Sequence, residues 1–425
     1  MSPSGTEPAS APSAGPRISP LPRGARVLVL ARELPRPPQS GGGFRILHFV
    51  RGLARQHRVS VLAMVREPLP PEALGNFQRE SGCEEVSTFA GDDIPGFAGE
   101  WAPMGTFIRQ LIGSPFPSYV HDFWSESLMR RLRQLYAEDK NYVVITRHPS
   151  FAEQARAAGF ARVILDADDL FGVLMQQELR SKGWYKRKPL HILNAWKARR
   201  YERNAPRRFE RVLIAKSDDK VFFPKDLRDR VVVVPNGVNV PATVVRTREV
   251  PNRLLFVGTL AYPPNHDAVL YLAREVLPIL WGINPDVTVD IVGRGPATPE
   301  MIEALRDSRC RLHLSPHDLS PFYDEASVVV APIRQGLGTR IKVIEALAQQ
   351  KALVATSFAP EGLGLQAGVH FAAGDTPGEF ARVCAELLAD PAQRAALAAA
   401  GREYTLANFD WKRIEESIGE LVPAR

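Results

Sequence analysis

Within ten residues, Gly336-Leu337-Gly338-Thr339-Arg340-Ile341-Lys342-Val343-Ile344-Glu345 brings together two glycines, a hydroxyl, two cations and a carboxylate. Apolar β-branched runs flank it, Ser327 to Ile333 before and Ala352 to Ser357 after, so the segment reads as the crossover helix of a βαβ unit. Gly336 and Gly338 allow positive φ and a close approach of backbone to ligand, and Thr339 is a natural helix cap. A helix mouth of this composition suits an anion, phosphate above all. Helical spacing turns Ile341, Ile344 and Ala348 toward the sheet and leaves Arg340, Lys342, Glu345 and Gln349 away from it. Glu345 lies roughly 9 Å along the axis from Thr339 at about 1.5 Å per residue. That separation fits a nucleoside diphosphate, with cations and amides for the pyrophosphate and a carboxylate for the ribose hydroxyls. The competing reading is that Lys342 and Glu345 form an ordinary solvated i,i+3 pair.

The elements around this stretch repeat one pattern. Arg26 to Ala31 reads as a strand, then come Gly41-Gly42-Gly43-Phe44-Arg45 as a glycine-rich turn, a helical pattern in Ile46, Phe49, Val50 and Leu53, and a second strand at Arg58 to Ala63. This is the opening of a Rossmann-like half, but the glycines lack the G-x-G-x-x-G spacing of a dinucleotide site. Tyr142 to Thr146 is a further strand ending at Arg147-His148, which places His148 where open α/β sheets bind ligands. Asp166-Ala167-Asp168-Asp169 also follows a strand. Clustered aspartates there could hold a metal at a diphosphate, serve as loop and cap chemistry, or, at Asp168 or Asp169, orient acceptor hydroxyls. Gly293-Arg294-Gly295 is a weak G-x-G turn at another strand end.

Pro332 to Ala346, followed by Glu361-Gly362-Leu363, resembles the donor-site signature of family 4 glycosyltransferases, retaining and metal-independent enzymes of the GT-B fold. Leu254 to Leu260 with Pro264 to Ala268 resembles the start of their second domain, and Pro235-Asn236-Gly237-Val238 the passage into it. The resemblance implies two Rossmann-like doubly wound domains facing a central cleft. It implies donor contacts at Gly258, Thr259, Arg294, Gly336, Gly338, Thr339 and Glu345, diphosphate stabilisation by Arg340 and Lys342, and His148 against the transferred sugar. Gly42, Gly43, Arg45 and Asp169 would face the acceptor side, and Ser315 to Asp318 the base. Two departures stand out. Many members carry an earlier glutamate where this chain has Leu337, and Arg and Lys where it has Thr259, Ala261 and Tyr262. Arg340 and Lys342 are expected to supply the missing charge.

The chain has 425 residues, 45% of them hydrophobic and 24% charged, the balance of a globular protein of two domains. Residues 1–24 read as a disordered tail rich in Pro, Ser, Ala and Gly. The resemblance implies that residues 25–240 form the acceptor domain, with 409–425 crossing back to it behind an Asp410 cap, and 241–408 the nucleotide-sugar domain. No run of about 18 apolar residues occurs, and Cys83, Cys310 and Cys384 are odd in number, far apart and in no metal-ligand spacing, so a cytoplasmic protein is expected, and the resemblance implies no metal and no cofactor beyond the nucleotide-sugar substrate. A net charge of +7 suggests anionic company. About a dozen Lys and Arg between 180 and 211, interleaved with Trp184, Tyr185 and Trp196, suit anionic lipid or a lipid-linked acceptor as well as a solvated helix. The aromatic and Arg mixture from Trp101 to Tyr136 reads either as an amphipathic helix against anionic lipid or as a core-packed helix with a solvated basic face. No nucleic-acid module frames either segment. The expected reaction is sugar transfer to a glycan or lipid-linked acceptor in polysaccharide or glycoconjugate biosynthesis. A nucleotide-sugar hydrolase or epimerase on the same fold, or a noncatalytic binding protein, would share the donor pocket.

Overall fold

The short β-branched runs become two parallel sheets. The computed structural model describes residues 24–34, 41–65, 67–91, 104–181, 183–244, 248–336 and 338–422. The tail before Gly24, Trp101 and Leu337 lie outside the described residues. Strands β1 (Arg26–Ala31), β2 (Arg58–Val65), β3 (Glu85–Ala90), β4 (Val143–Thr146), β5 (Arg162–Asp166), β6 (Arg211–Ile214) and β7 (Val231–Val233) form a sheet in the order β3-β2-β1-β4-β5-β6-β7. Strands β8 (Arg253–Val257), β9 (Thr288–Gly293), β10 (Cys310–Leu314), β11 (Val328–Ala331), β12 (Ala352–Ala355) and β13 (Ala372–Ala373) form another, in the order β10-β9-β8-β11-β12-β13.

Helices cover both faces of each sheet, which is why β4, β11 and β12 are buried at every position and read as unbroken apolar runs. β3 has no such signature. Its side chains are mostly half-buried, and pairing with β2 rather than local pattern makes it a strand. Each sheet reverses its order once, between β1 and β4 and between β8 and β11. Open α/β sheets bind ligands outside the carboxyl ends of strands at such reversals. The loops there hold Arg147 and His148 in one half, and Gly258, Thr259, Gly336 and Gly338 to Arg340 in the other.

Two strands of chain run side by side between the halves. Val238 N–H donates to the Phe409 carbonyl at 2.8 Å, and Trp411 N–H to the Val238 carbonyl at 3.1 Å. Asp410 caps the helix Trp411–Ile418 through the Lys412 N–H at 3.2 Å. Trp411, Ile414 and Ile418 then pack into the core of the first sheet with Val27 and Leu53. A side chain at Gly52 would begin 2.7 Å from the Glu415 carbonyl, so the two helices touch there backbone to backbone.

The three glycines after β1 do not form a turn. They are the first turn of the helix Gly41–Ala54. The tertiary packing of Phe49, Val50 and Leu53 overrides the weak helical preference of glycine.

Candidate active site

A cavity of about 730 Å³ opens between the two sheets. Gly258, Thr259 and Arg294 line it from the ends of β8 and β9, and Gly336, Thr339, Arg340, Lys342 and Glu345 from the segment after β11. Phe44 and Trp411 close it from the first domain, and Pro316 to Ser320 line a further wall. The donor residues expected from sequence, Gly338 aside, are therefore among its lining.

Lys342 and Glu345 are not a solvated pair: both line the cavity. The Lys342 ammonium donates to the Asn265 side-chain carbonyl and sits 4.6 Å from the centre of the Phe256 ring. Asn265 in turn donates to the Thr259 carbonyl at 2.8 Å, tying the β8 loop to the helix after β11. A side chain at Gly258 would meet the Lys342 Nζ and Asn265 Nδ2 atoms, each at 2.8 Å, so glycine is required for close approach. Burial pushes the Lys342 ammonium down to about 7, with Glu345 opposing. Burial pushes the Glu345 carboxyl up, with Lys342 opposing. Beside them the Tyr323 hydroxyl is buried with no hydrogen-bond partner among the described residues, and burial together with Glu345 raises it well above its ordinary value.

Thr339 does not cap the helix. The helix begins at Ile341, and Arg340 holds the cap position without a side-chain cap bond. The Thr339 hydroxyl instead accepts a hydrogen bond from Asn236 at 3.1 Å, across the cleft. Gly336 and Gly338 have φ of +127° and +80°, the left-handed region that glycine tolerates. The Arg340 guanidinium stacks on Phe358 at 4.3 Å and donates to the Glu361 carbonyl at 3.3 Å. Its Nε is buried without a partner among the described residues, and burial lowers the group's pKa despite Glu361.

Arg45 does not reach the cleft. It is fully buried and donates twice to Asp166, at 2.8 and 2.7 Å, and to the Val234 carbonyl at 2.9 Å and Asn236 Oδ1 at 3.1 Å. Burial alone would lower its pKa, but Asp166 and Asp168 outweigh that and raise it. Gly42 and Gly43 lie in the same helix as Arg45, and of that helix Phe44 is the cavity residue.

Asp166, at the end of β5, and Asp168, just after it, are also committed. Asp166 holds Arg45, while Asp168 accepts from Arg147 and, at 2.7 Å, from Asn236. Burial would raise the Asp168 carboxyl, but Arg45 and Arg147 prevail and lower it. Asp169 faces Gly338, where an added side chain would begin 2.9 Å from its carboxylate. Burial, then Asp168, pushes the Asp169 carboxyl up to about 6. Among the described residues no group of three or more His, Cys, Asp or Glu has the arrangement to hold a metal.

His148 stands at the end of β4 but does not line the cavity. Its Nδ1 accepts from the Ser150 N–H at 3.2 Å, capping the helix Pro149–Ala157, and its ring packs edge-on to Phe123 at 4.5 Å. Burial, Arg32 and Arg147 push it down to about 3, so the ring is neutral with its proton on Nε2.

Asn265, Tyr323, Asn236 and Trp411 were not expected at the site. Asn236 and Asn265 stand in the Pro-Asn-Gly and Pro-Asn-His segments, where an asparagine between turn residues was the available signal. Tyr323 and Trp411 have the spacing of core residues and gave none.

Residues 251–390 match the family described as Glycosyl transferases group 1. A glycogen synthase of Mycobacterium tuberculosis is 29% identical over 208 residues, 46% of this chain and 48% of that protein. An uncharacterized 44.6 kDa protein in the cps region of Klebsiella pneumoniae is 25% identical over 172 residues, 39% of this chain and 44% of that one. The chain thus spans about half the length of the curated relatives it matches. The crystal structure of TarM superposes with a TM-score of 0.65 at 9% identity, covering 93% of this chain and 98% of TarM. Anabaena HepE, solved in complex with UDP and glucose, gives 0.59 at 13% identity, covering 92% and 98%. The fold they share with this chain is the two-domain GT-B architecture.

Proposed function

We propose, from a C-terminal domain that belongs to the group 1 glycosyltransferases, that this protein moves a sugar from a nucleotide-sugar donor to a glycan or lipid-linked acceptor, with retention and without a metal. The observation that carries the reading is the Lys342 ammonium, which sits in a cleft between two Rossmann-like sheets on a neutral amide and a ring face. A buried cation placed there is available to the negative charge that grows on a departing diphosphate. Arg340 and the backbone at Gly336 and Gly338 adjoin it, and Glu345, one turn further, suits the ribose hydroxyls. Metal independence is supported by Asp166 and Asp168, whose oxygens are engaged by Arg45, Arg147 and Asn236. UDP in HepE supports a nucleotide donor, and the similarity to a glycogen synthase and to a cps-region protein supports polysaccharide assembly.

On the acceptor side, Asp169 approaches the Gly338 turn; His148, which stands outside the cavity lining, would reach the transferred sugar through its Nε2–H. An anionic membrane surface presenting the acceptor, on the cytoplasmic face, fits the outer side of the first domain. There Ile112, Trp184, Ile192 and Trp196 are between 50% and 77% exposed, among Lys186, Arg187 and Arg200. No helix among the described residues is long and apolar enough to cross a membrane.

Product analysis with UDP-, GDP- and dTDP-sugars and extracted lipid-linked acceptors tests the reading. It stands if a labelled sugar appears on the acceptor with its anomeric configuration kept and Lys342→Ala abolishes transfer. Release of free sugar alone, whatever acceptor is offered, would show a hydrolase instead.

A further inference from the structure

The first sheet has another end, away from the cleft. Strands β5 and β6 begin at Arg162 and Arg211, and β7 begins directly after Arg230. Their amino ends therefore carry guanidinium groups, while their carboxyl ends lead to the site described above. At these amino ends lies a cavity of about 490 Å³ lined by Arg207, Arg208, Arg211, Arg230, Glu210 and Asp229, together with Ala161 and Phe209.

Most of these charges are matched. Arg162 donates twice to Glu210, at 2.9 and 2.7 Å, and Arg208 twice to Glu153, at 2.8 and 2.7 Å. Arg207 reaches Asp226 at 3.2 Å on the exposed rim. Two guanidinium groups are left over. Arg230 donates to the neutral Pro206 carbonyl at 3.2 Å. Among the described residues, no acceptor meets the buried Nε and Nη1 of Arg211. Burial pulls its pKa down, with Glu210 opposing and Arg162 reinforcing. Asp229 is the one lining carboxylate with no arginine described against it, so this wall has more cation than anion. Buried donors without acceptors weaken a fold unless something fills the gap.

We propose that this cavity is a second anion site, in which Arg211 and Arg230 bind a phosphate- or sulfate-type oxyanion. The planar guanidinium fork matches such an oxyanion with paired hydrogen bonds. The volume exceeds what one inorganic ion fills, so the oxyanion is carried on a larger molecule, either a free phosphorylated compound or a lipid headgroup. Lying at the opposite end of the strands, the site does not compete with the donor cleft.

The test uses the full chain, with inorganic phosphate and pyrophosphate at fixed ionic strength, read by calorimetry and thermal shift. Lys342→Ala removes the buried ammonium of the cleft and serves as the background. The expected result is that phosphate raises the melting temperature of this background by about 2–4 °C near ten times its Kd. Arg211→Met and Arg230→Met, each in that background, should weaken binding tenfold or more. Arg211→Lys, which keeps the charge and loses the fork, should fold normally and still bind weakly. Undiminished phosphate affinity in the folded Arg211 variants, or no response in the Lys342→Ala protein, overturns the proposal. Glycerol 3-phosphate and phosphatidic acid vesicles, with phosphatidylcholine vesicles as control, separate the two sources. Arg211-dependent sedimentation identifies a headgroup, and Arg211-dependent binding of glycerol 3-phosphate alone identifies a free compound.

Discussion

The Lys342 ammonium and the Asn265 side chain, 77 residues apart in sequence, are hydrogen-bonded at the floor of the cleft. Asn265 is thereby a positioning residue: its carbonyl holds the cation and its amide holds the Thr259 carbonyl. A hydrogen bond to a charged group is worth about 1.5–3 kcal/mol, so Lys342→Ala should weaken nucleotide-sugar binding about 10- to 100-fold in calorimetry. Asn265→Ala should cost less. Asn265→Asp, which sets a carboxylate against the ammonium and offsets its charge, should cost more than Ala. Equal donor affinity across the three variants would remove Lys342 from the donor site.

Donor binding should depend on pH through the same lysine. In the empty cavity its charged form is lost as pH rises through about 7. A bound diphosphate favours the charged form, so binding takes up a proton and weakens above about that pH. Calorimetry in two buffers of different ionisation enthalpy measures the uptake, and Lys342→Arg should abolish it. Folding runs with the opposite sign. The unfolded lysine keeps its proton up to its ordinary 10.5, so this group's contribution to stability grows as pH climbs from about 7.

His148 should contribute no inflection to the pH profile of transfer between pH 5 and 9, because its folded-state value is about 3. Proton resonances of the ring should stay at their neutral positions down to about pH 4. His148→Gln, which can still donate from a similar place, should keep more turnover than His148→Ala.

Gly338→Ala meets two obstacles at once. The left-handed conformation costs a side chain about 1–2 kcal/mol, and the new Cβ would lie 2.9 Å from the Asp169 carboxylate. Loss of kcat/KM should be partly restored in Gly338→Ala with Asp169→Gly, which relieves the contact and leaves the backbone strain. Absence of any restoration would show that Asp169 does not limit this turn.

Arg45→Ala should act on stability rather than on acceptor use. It takes the bidentate partner from the buried Asp166 carboxylate and leaves it the Arg147 guanidinium at 3.6 Å, and breaking a buried pair on one side typically costs about 3–5 kcal/mol. Urea unfolding should show that loss, while any folded fraction keeps its KM for acceptor.

Two parallel sheets, the reversal loops and the glycine-opened helix after β11 were legible in the chain itself, because β-branched runs, helical spacing and positive-φ glycines are local properties. Even the angular position of Lys342 and Glu345 on their helix followed from spacing. Which surface covers that strip did not, since it depends on β8 and the helix Pro263–Tyr271 folding over it. Tertiary structure alone decided that Asn265 receives the ammonium, that Thr339 reaches across to Asn236 instead of capping, and that Arg45 is spent on Asp166, 121 residues away. Charge at a site is set by desolvation and by partners brought from distant segments, and neither is written in the spacing of neighbours along the chain.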